Sequence, residues 1–279
     1  MNLCRRHYQR VTAAQAAAEA AGPTQTMAGL TAYELQLAQL IQDKARLKGI
    51  QSTEGKIELK RVLLPAYAPY VEGVLSAGKG AQDEVLVTVM LWRIDTADYA
   101  GGLDAAAYVF QHGLLMPDSF NRSIGCVVAE EVAEGALKAL KADQPFDIDV
   151  LLRTAELTAE QDMPDQARAK LFLALGRATL YGLDVEAPGK PGQVAEGIAL
   201  LRRAIELHDK CGGKKDLESA DRLHKKLADA ATAAAPTSTG LPPTPPPPST
   251  APADEKPSVP PKPYGKGSRK NRKNPPSKG

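Results

Sequence analysis

No run of 18 apolar residues occurs in this 279-residue chain, which argues against a membrane-spanning helix. Arg5, Arg6 and Arg10 lie in MNLCRRHYQR, but no apolar stretch follows them, so the segment does not read as a secretory signal. Cys4, Cys126 and Cys211 are odd in number and far apart. They exclude a disulfide framework and point to a reducing cytoplasm. No stretch alternates apolar and polar residues as a half-buried strand would. What remains is ordinary apolar content, 43%, in a chain long enough to bury a sizeable core.

Charge is present but segregated. Residues 1–81 carry 10 Lys/Arg against 6 Asp/Glu, and residues 82–165 carry 5 against 16. Residues 166–231 return to 12 against 9, and 232–279 to 8 against 2. Basic ends around an acidic middle suggest that the ends meet a polyanion while the middle faces protein or solvent.

The dominant signal is helical. Residues 2–21 favour helix through alanine but offer too little burial for a helix stable alone. Gly22-Pro23 breaks the chain, and Leu37, Leu40, Ile41 and Leu47 resume the helical spacing. In LLPAYAPYVEGVL, Pro65 and Pro69 are expected to interrupt regular structure. Further on, Asp98 suits the cap of a helix through Leu103, Ala106, Ala107 and Phe110 that ends at Gly113. Helical faces recur at Val128–Leu140, Leu151–Ala159, Ala167–Ala178, Val194–Ile205 and Leu217–Leu227, with Pro164 at a helix start. The chain reads as all-α, an irregular bundle with two tetratricopeptide-like hairpins, VMLWRIDTADYAGGLDAAAYVFQHGL and LFLALGRATLYG with AEGIALLRRAIEL. Small residues on the second helix of each hairpin would allow close packing. Residues 236–279 hold 14 of the 22 prolines and a basic end, the composition of a disordered spacer and tail. The expected organisation is a basic N-terminal helix (1–29), a DNA-binding helical segment (30–81), a helical assembly domain (82–231) and the Pro-rich basic tail (232–279).

GVLSAGKG, at 73–80, has the spacing of a nucleotide-binding P-loop but lacks the Ser or Thr that would hold Mg²⁺, since Gly80 follows Lys79. The preceding segment, with two prolines, does not read as a central strand. Asp95 could pose as the second acidic motif, but the run before it has the helical spacing Val85, Val89, Trp92. The expectation is a glycine turn between two helices, with Asp83 and Glu84 in the first turn of the second. A nuclease reading rests on the triplet Glu58-Leu59-Lys60 and the pairs Pro117-Asp118 and Pro164-Asp165, in the wrong order for metal-dependent cleavage. Glu130 and Glu134, and Asp147 and Asp149, lack a nearby His for a metal site. The four histidines are scattered, and Cys126 has no His or Asp neighbour to activate it. No catalytic residue and no metal site is legible.

The basic clusters carry more. Residues 44–61 hold six Lys/Arg and two Glu around a turn at Lys48-Gly49, suited to a helix-turn-helix contact and equally to a solvated face. In SRKNRKNPPSK, Arg269, Lys270, Arg272 and Lys273 are spaced for phosphate contacts or serve as a solubilising tail. The candidate DNA contacts are therefore Arg5, Arg6, Arg10, Lys44, Arg46, Lys48, Lys56, Lys60 and Arg61, with the four tail residues.

One long stretch carries a resemblance. It contains LLP at 63–65, GVL then GKGAQD at 73–83, VMLWR, DT, DY and GGL at 89–103, and GL then MP at 113–117; EEVAEGAL and ELTAEQDMPDQARAKL follow. From about residue 30 to 227 the sequence resembles the small terminase subunit of tailed phages that package cohesive-end DNA, a family often described as the terminase endonuclease subunit. The resemblance implies a protein of the host bacterial cytoplasm that forms homo-oligomers, often rings. It implies binding to the packaging site on viral double-stranded DNA and delivery of that DNA to a large terminase subunit. ATP and Mg²⁺ would belong to that large subunit, leaving this chain without a cofactor of its own and without a membrane partner. Two alternatives stay open: an endonuclease acting itself at the cohesive-end site, and a helical-repeat adaptor that binds only proteins.

Overall fold

The computed structural model of the chain describes residues 2–20, 31–117 and 122–234. The tail 235–279, the break at Gly22-Pro23 and Asp118 lie outside the described residues. Among the described residues the chain forms ten α-helices and no sheet, in agreement with the helical reading. All of them fall in one unit spanning 1–235. No described helix is long and apolar enough to cross a membrane.

Helix α1 (Leu3–Glu19) starts at Asn2, whose side chain accepts from the Cys4 N–H. Its buried face is Ala13, Ala16, Ala17 and Ala20. Alanine alone could not hold it, but α1 lies along α3 (Thr53–Ala77), where Gly73 meets the α1 backbone at Arg10 and the Ala13 methyl. Small side chains on both helices permit that close approach, so burial by a partner supplies what the segment lacks by itself.

Helix α2 (Thr31–Lys48) and α3 are joined by a four-residue turn, and Ser52 caps α3 by accepting from the Gly55 N–H. Contrary to the sequence expectation, α3 runs unbroken through Pro65 and Pro69. Each proline removes one helical hydrogen bond and costs on the order of 3 kcal/mol in a helix interior. Spaced four apart, they place both losses on one side of the helix. The buried residues Leu63, Tyr67, Tyr70, Val71 and Val74 offset that cost, at about 1.5–3 kcal/mol for each large apolar side chain.

Helices α4 (Glu84–Asp95) and α5 (Tyr99–His112) form the first expected hairpin, capped by Asp83 and Asp98 and closed by Gly113 in the left-handed conformation. Every α4 residue from Val85 to Trp92 is buried, as expected of a helix apolar on all sides. Helices α6 (Ile124–Lys141) and α7 (Ile148–Leu157) follow. The second expected hairpin is α8 (Asp165–Leu180) with α9 (Gln193–Leu207); α8 starts directly after Pro164. A Cβ on Gly197 would come within 2.5 Å of Leu180 Cγ, and one on Gly176 within 2.8 Å of Leu201. These two positions hold the helices closer than any larger residue would allow. Helix α10 (Lys214–Ala234) packs on α9. One apolar core runs from α1 to α8, and a smaller one joins α8, α9 and α10.

Candidate nucleic-acid interface

The expected turn at 78–80 forms, and its chemistry is spent internally. Gly78 caps α3 in the left-handed conformation, its N–H bonded to the Val74 carbonyl at 3.4 Å. The Gly80 N–H donates to the Tyr108 hydroxyl at 2.7 Å. Gly80 has φ +73°, and a Cβ there would run into the His112 ring, which packs beside Tyr108. In a phosphate loop these backbone N–H groups would point at the ligand; here the Gly78 N–H closes the end of α3 and the Gly80 N–H ties the turn to α5.

Asp83 is the cap of α4 rather than a member of its first turn, and it is fully buried. Its two oxygens accept from the Leu86 N–H at 2.9 Å and from the Tyr70 hydroxyl at 2.7 Å. Burial pushes its carboxyl up to about 6, although these hydrogen bonds pull the other way. Burial and the Asp83 charge push the Tyr70 phenol up, so it stays a donor. A second pair lies alongside: Tyr67 donates to the buried Asp43 at 2.8 Å, and Arg46 bonds the other oxygen at 2.8 Å. Tyr67 also meets Trp92 edge to face. None of these roles was visible in sequence, although tyrosines three apart beside an acidic cap were a signal.

The described bases divide into two groups. Lys44 pairs with Glu84 at 2.7 Å, Arg46 with Asp43, Lys60 with Asp95, Arg61 with Glu58, and Arg6 approaches Glu72 at 3.9 Å. Arg5, Arg10, Lys48 and Lys56 form no ion pair among the described residues. Arg5, Arg10 and Lys48 are exposed, and Lys56 is half-buried. In the first group Arg6, Lys44 and Lys60 bridge neighbouring helices, whereas Arg46 and Arg61 pair within their own; the second group has no such pair to give up. Arg269, Lys270, Arg272 and Lys273 lie outside the described residues.

A groove of about 910 Å³ runs between α3, the α4–α5 junction and α6, lined by Lys56, Lys60, Asp95, Tyr99, Glu131 and Phe146 among others. Burial, and then Asp95 and Glu134, raise the Glu131 carboxyl, and Lys60 works against them. Both pieces of the Glu58-Leu59-Lys60 triplet are engaged, Glu58 by Arg61 and Lys60 by Asp95. Glu130 is bridged by Arg122 and by Lys170 at 3.7 Å, and Lys170 also bonds Glu134 at 2.5 Å. Burial alone would lower the Lys170 ammonium, but these two glutamates raise it above its usual range. Cys126 is buried and donates to Glu130 at 3.7 Å, and burial raises its thiol, which disfavours the thiolate. Among the described residues no group of three or more His, Cys, Asp or Glu is placed to hold a metal ion.

The family model described as phage small terminase subunit matches residues 37–166. The protein named "Terminase, endonuclease subunit" from Escherichia phage P2 is 43% identical over 217 residues, which cover 78% of this chain and 83% of that relative. No solved structure matches.

Proposed function

The chain belongs to the phage small terminase subunit family, and on that premise we propose that it binds viral double-stranded DNA and presents it to a large terminase subunit for cleavage and packaging. In this reading ATP and Mg²⁺ act on the large subunit, copies of this chain associate with one another, and the complex works in the cytoplasm of the host. The observation that carries the DNA assignment is the division among the bases. Arg5, Arg10, Lys48 and Lys56 form no ion pair among the described residues, so binding phosphate costs them none of those contacts. Lys44, Lys60 and Arg61 would have to give one up. Phosphate contacts of this kind position the protein without reading bases.

The relative from phage P2 is named as an endonuclease subunit. In this chain the acid-x-Lys triplet Glu58-Leu59-Lys60 is tied up in ion pairs, so we assign cutting to the terminase complex rather than to this subunit alone. The test is a band shift on cohesive-end DNA across a salt series. Replacing Arg5, Arg10, Lys48 and Lys56 together by Ala should flatten the log–log salt slope by about 0.9 for each phosphate no longer neutralised. Replacing Lys44, Lys60 and Arg61 should change the slope little and lower thermal stability instead. Equal slopes for the first variant and the parent would remove the assignment, and Mg²⁺-dependent cutting by the isolated subunit would overturn the division of labour.

A further inference from the structure

Most charges around the groove between α3 and α6 are matched: Lys60 by Asp95, Arg61 by Glu58, and Glu134 by Lys170. Three are not. Glu131, Lys56 and Lys138 line the groove and form no ion pair among the described residues. The Tyr99 hydroxyl lines it too, with no hydrogen bond among the described residues. It fits against α6 because position 135 is glycine, where a Cβ would come within 2.1 Å of the hydroxyl oxygen. Burial, and then the Glu131 charge, raise the phenol, so it stays a donor near that carboxylate.

Helix α6 sets the order of these groups. Glu131 and Lys138 share one face of α6, two turns and about 10 Å apart. Glu131 stands at the Lys60–Asp95 end, since both of those charges act on it. Lys56 lies one turn further along α3 from Lys60. Phe146 lines the groove against Tyr99, with ring centroids 5.2 Å apart. An acceptor and a donor thus share one end, an aromatic ring packs beside the donor, and two ammonium groups lie beyond. The volume of about 910 Å³ falls within the range of small-molecule sites, about 300–1,000 Å³.

We propose that this groove binds a guanine nucleotide, either free or as an unpaired residue of a DNA strand. Among the four DNA bases only guanine carries two adjacent N–H donors, on N1 and N2, beside a carbonyl oxygen on its pairing edge. A carboxylate offers two acceptor oxygens, and a phenol offers one donor. Glu131 accepts from N1 and N2, and Tyr99 donates to O6. Adenine and cytosine set a single amino group beside a ring-nitrogen acceptor, which a carboxylate repels. Thymine holds its one N–H between two carbonyls. Phe146 supplies an aromatic ring of the kind on which unpaired bases stack. Lys56 and Lys138 meet the phosphate as point charges. Two N–H donors also relieve Glu131, whose carboxyl is raised by burial first and by Asp95 next. In a duplex the pairing edge is occupied, so the groove reads only an unpaired base. The inference therefore goes beyond the duplex assignment, whose phosphate contacts read no base. Lys56 alone is common to both.

The test is calorimetric titration of the full-length chain at low salt. One arm uses dGMP against dAMP, dCMP and dTMP; the other uses a thymine oligonucleotide with one central guanine against the same strand with adenine. Binding of dGMP assigns a free nucleotide, and binding of the guanine strand alone assigns a DNA strand. Replacing that guanine by hypoxanthine, which lacks the N2 amino group, should weaken binding about tenfold. Glu131→Gln should bring the ratio of guanine to hypoxanthine affinity close to one. Part of Glu131 is open to solvent, so the circular dichroism of this variant should match the parent. Lys138→Ala should weaken every strand alike and flatten the log–log salt slope by about 0.7. The idea fails if guanine binds no better than adenine in either arm, or if Glu131→Gln keeps the guanine preference. A duplex band shift keeps the two readings apart. Glu131→Gln should leave duplex affinity unchanged, and failure of the duplex assignment would leave the guanine preference standing.

Discussion

Two sets of helix contacts in this protein are stabilised in opposite ways. Where α3 meets α2 and α4, tyrosine hydroxyls reach buried carboxylates: Tyr67 to Asp43, and Tyr70 to Asp83. Where α8 meets α9, glycine lets the helices close in, and Leu201 and Leu180 fill the space with no buried charge. The apolar contact draws its stability from area and fit, which are indifferent to pH and forgiving of direction. The polar one depends on geometry and protonation, because an unpaired buried carboxylate costs more than a satisfied one returns. The polar contact therefore specifies how the α2–α3 basic turn is held, and the apolar one supplies stability without that sensitivity.

The largest effect should come from the apolar side. Leu201→Ala removes a fully buried side chain from a site that glycine has already drawn tight, and should cost about 2–5 kcal/mol. Urea denaturation should show that loss by the same amount at pH 4.5 and pH 7. A pH-dependent loss would blur the contrast between the apolar and the polar contacts.

The next effect belongs to Asp83. Its folded carboxyl is raised to about 6 from 3.8, so the folded state holds its proton more tightly than the unfolded state does. The stability tied to that proton is fully present below about pH 4 and is lost as pH rises through about 6. Asp83→Asn keeps a side-chain cap but cannot ionise. The stability of the parent minus that of the variant should therefore fall by up to about 3 kcal/mol between pH 4 and pH 7. A flat difference would mean that the carboxylate is not desolvated as the geometry requires.

Tyr67→Phe should have the smallest effect. It leaves the ring against Trp92 but strips one donor from the buried Asp43, which retains Arg46. A loss of about 1–3 kcal/mol is expected, read as a lower thermal midpoint. No loss would show that Arg46 alone satisfies the carboxylate.

The helical reading survived because periodicity is local: the residues that cap α5, Asp98 and Gly113, and the apolar faces of α6 and α9 are set by neighbours three and four positions away. The glycine turn at 78–80 was legible for the same reason. The prolines of α3 misled because their local cost is real but smaller than the burial of Leu63, Tyr67, Tyr70, Val71 and Val74 along the same helix. The candidate interface was legible only as a set of bases. Lys44 finds Glu84 40 positions away and Lys60 finds Asp95 35 positions away, separations at which sequence spacing carries no geometry.

Sequence alone determined that this protein is helical, that its charge is divided along the chain, and which family it resembles, because propensity, capping and motif spacing are written in neighbouring residues. Tertiary structure alone decided which bases remain available, which aspartates lose their water, and that Lys56, Glu131 and Lys138 line one groove. Those outcomes depend on which helices lie side by side, and desolvation and ion pairing act through space rather than along the chain.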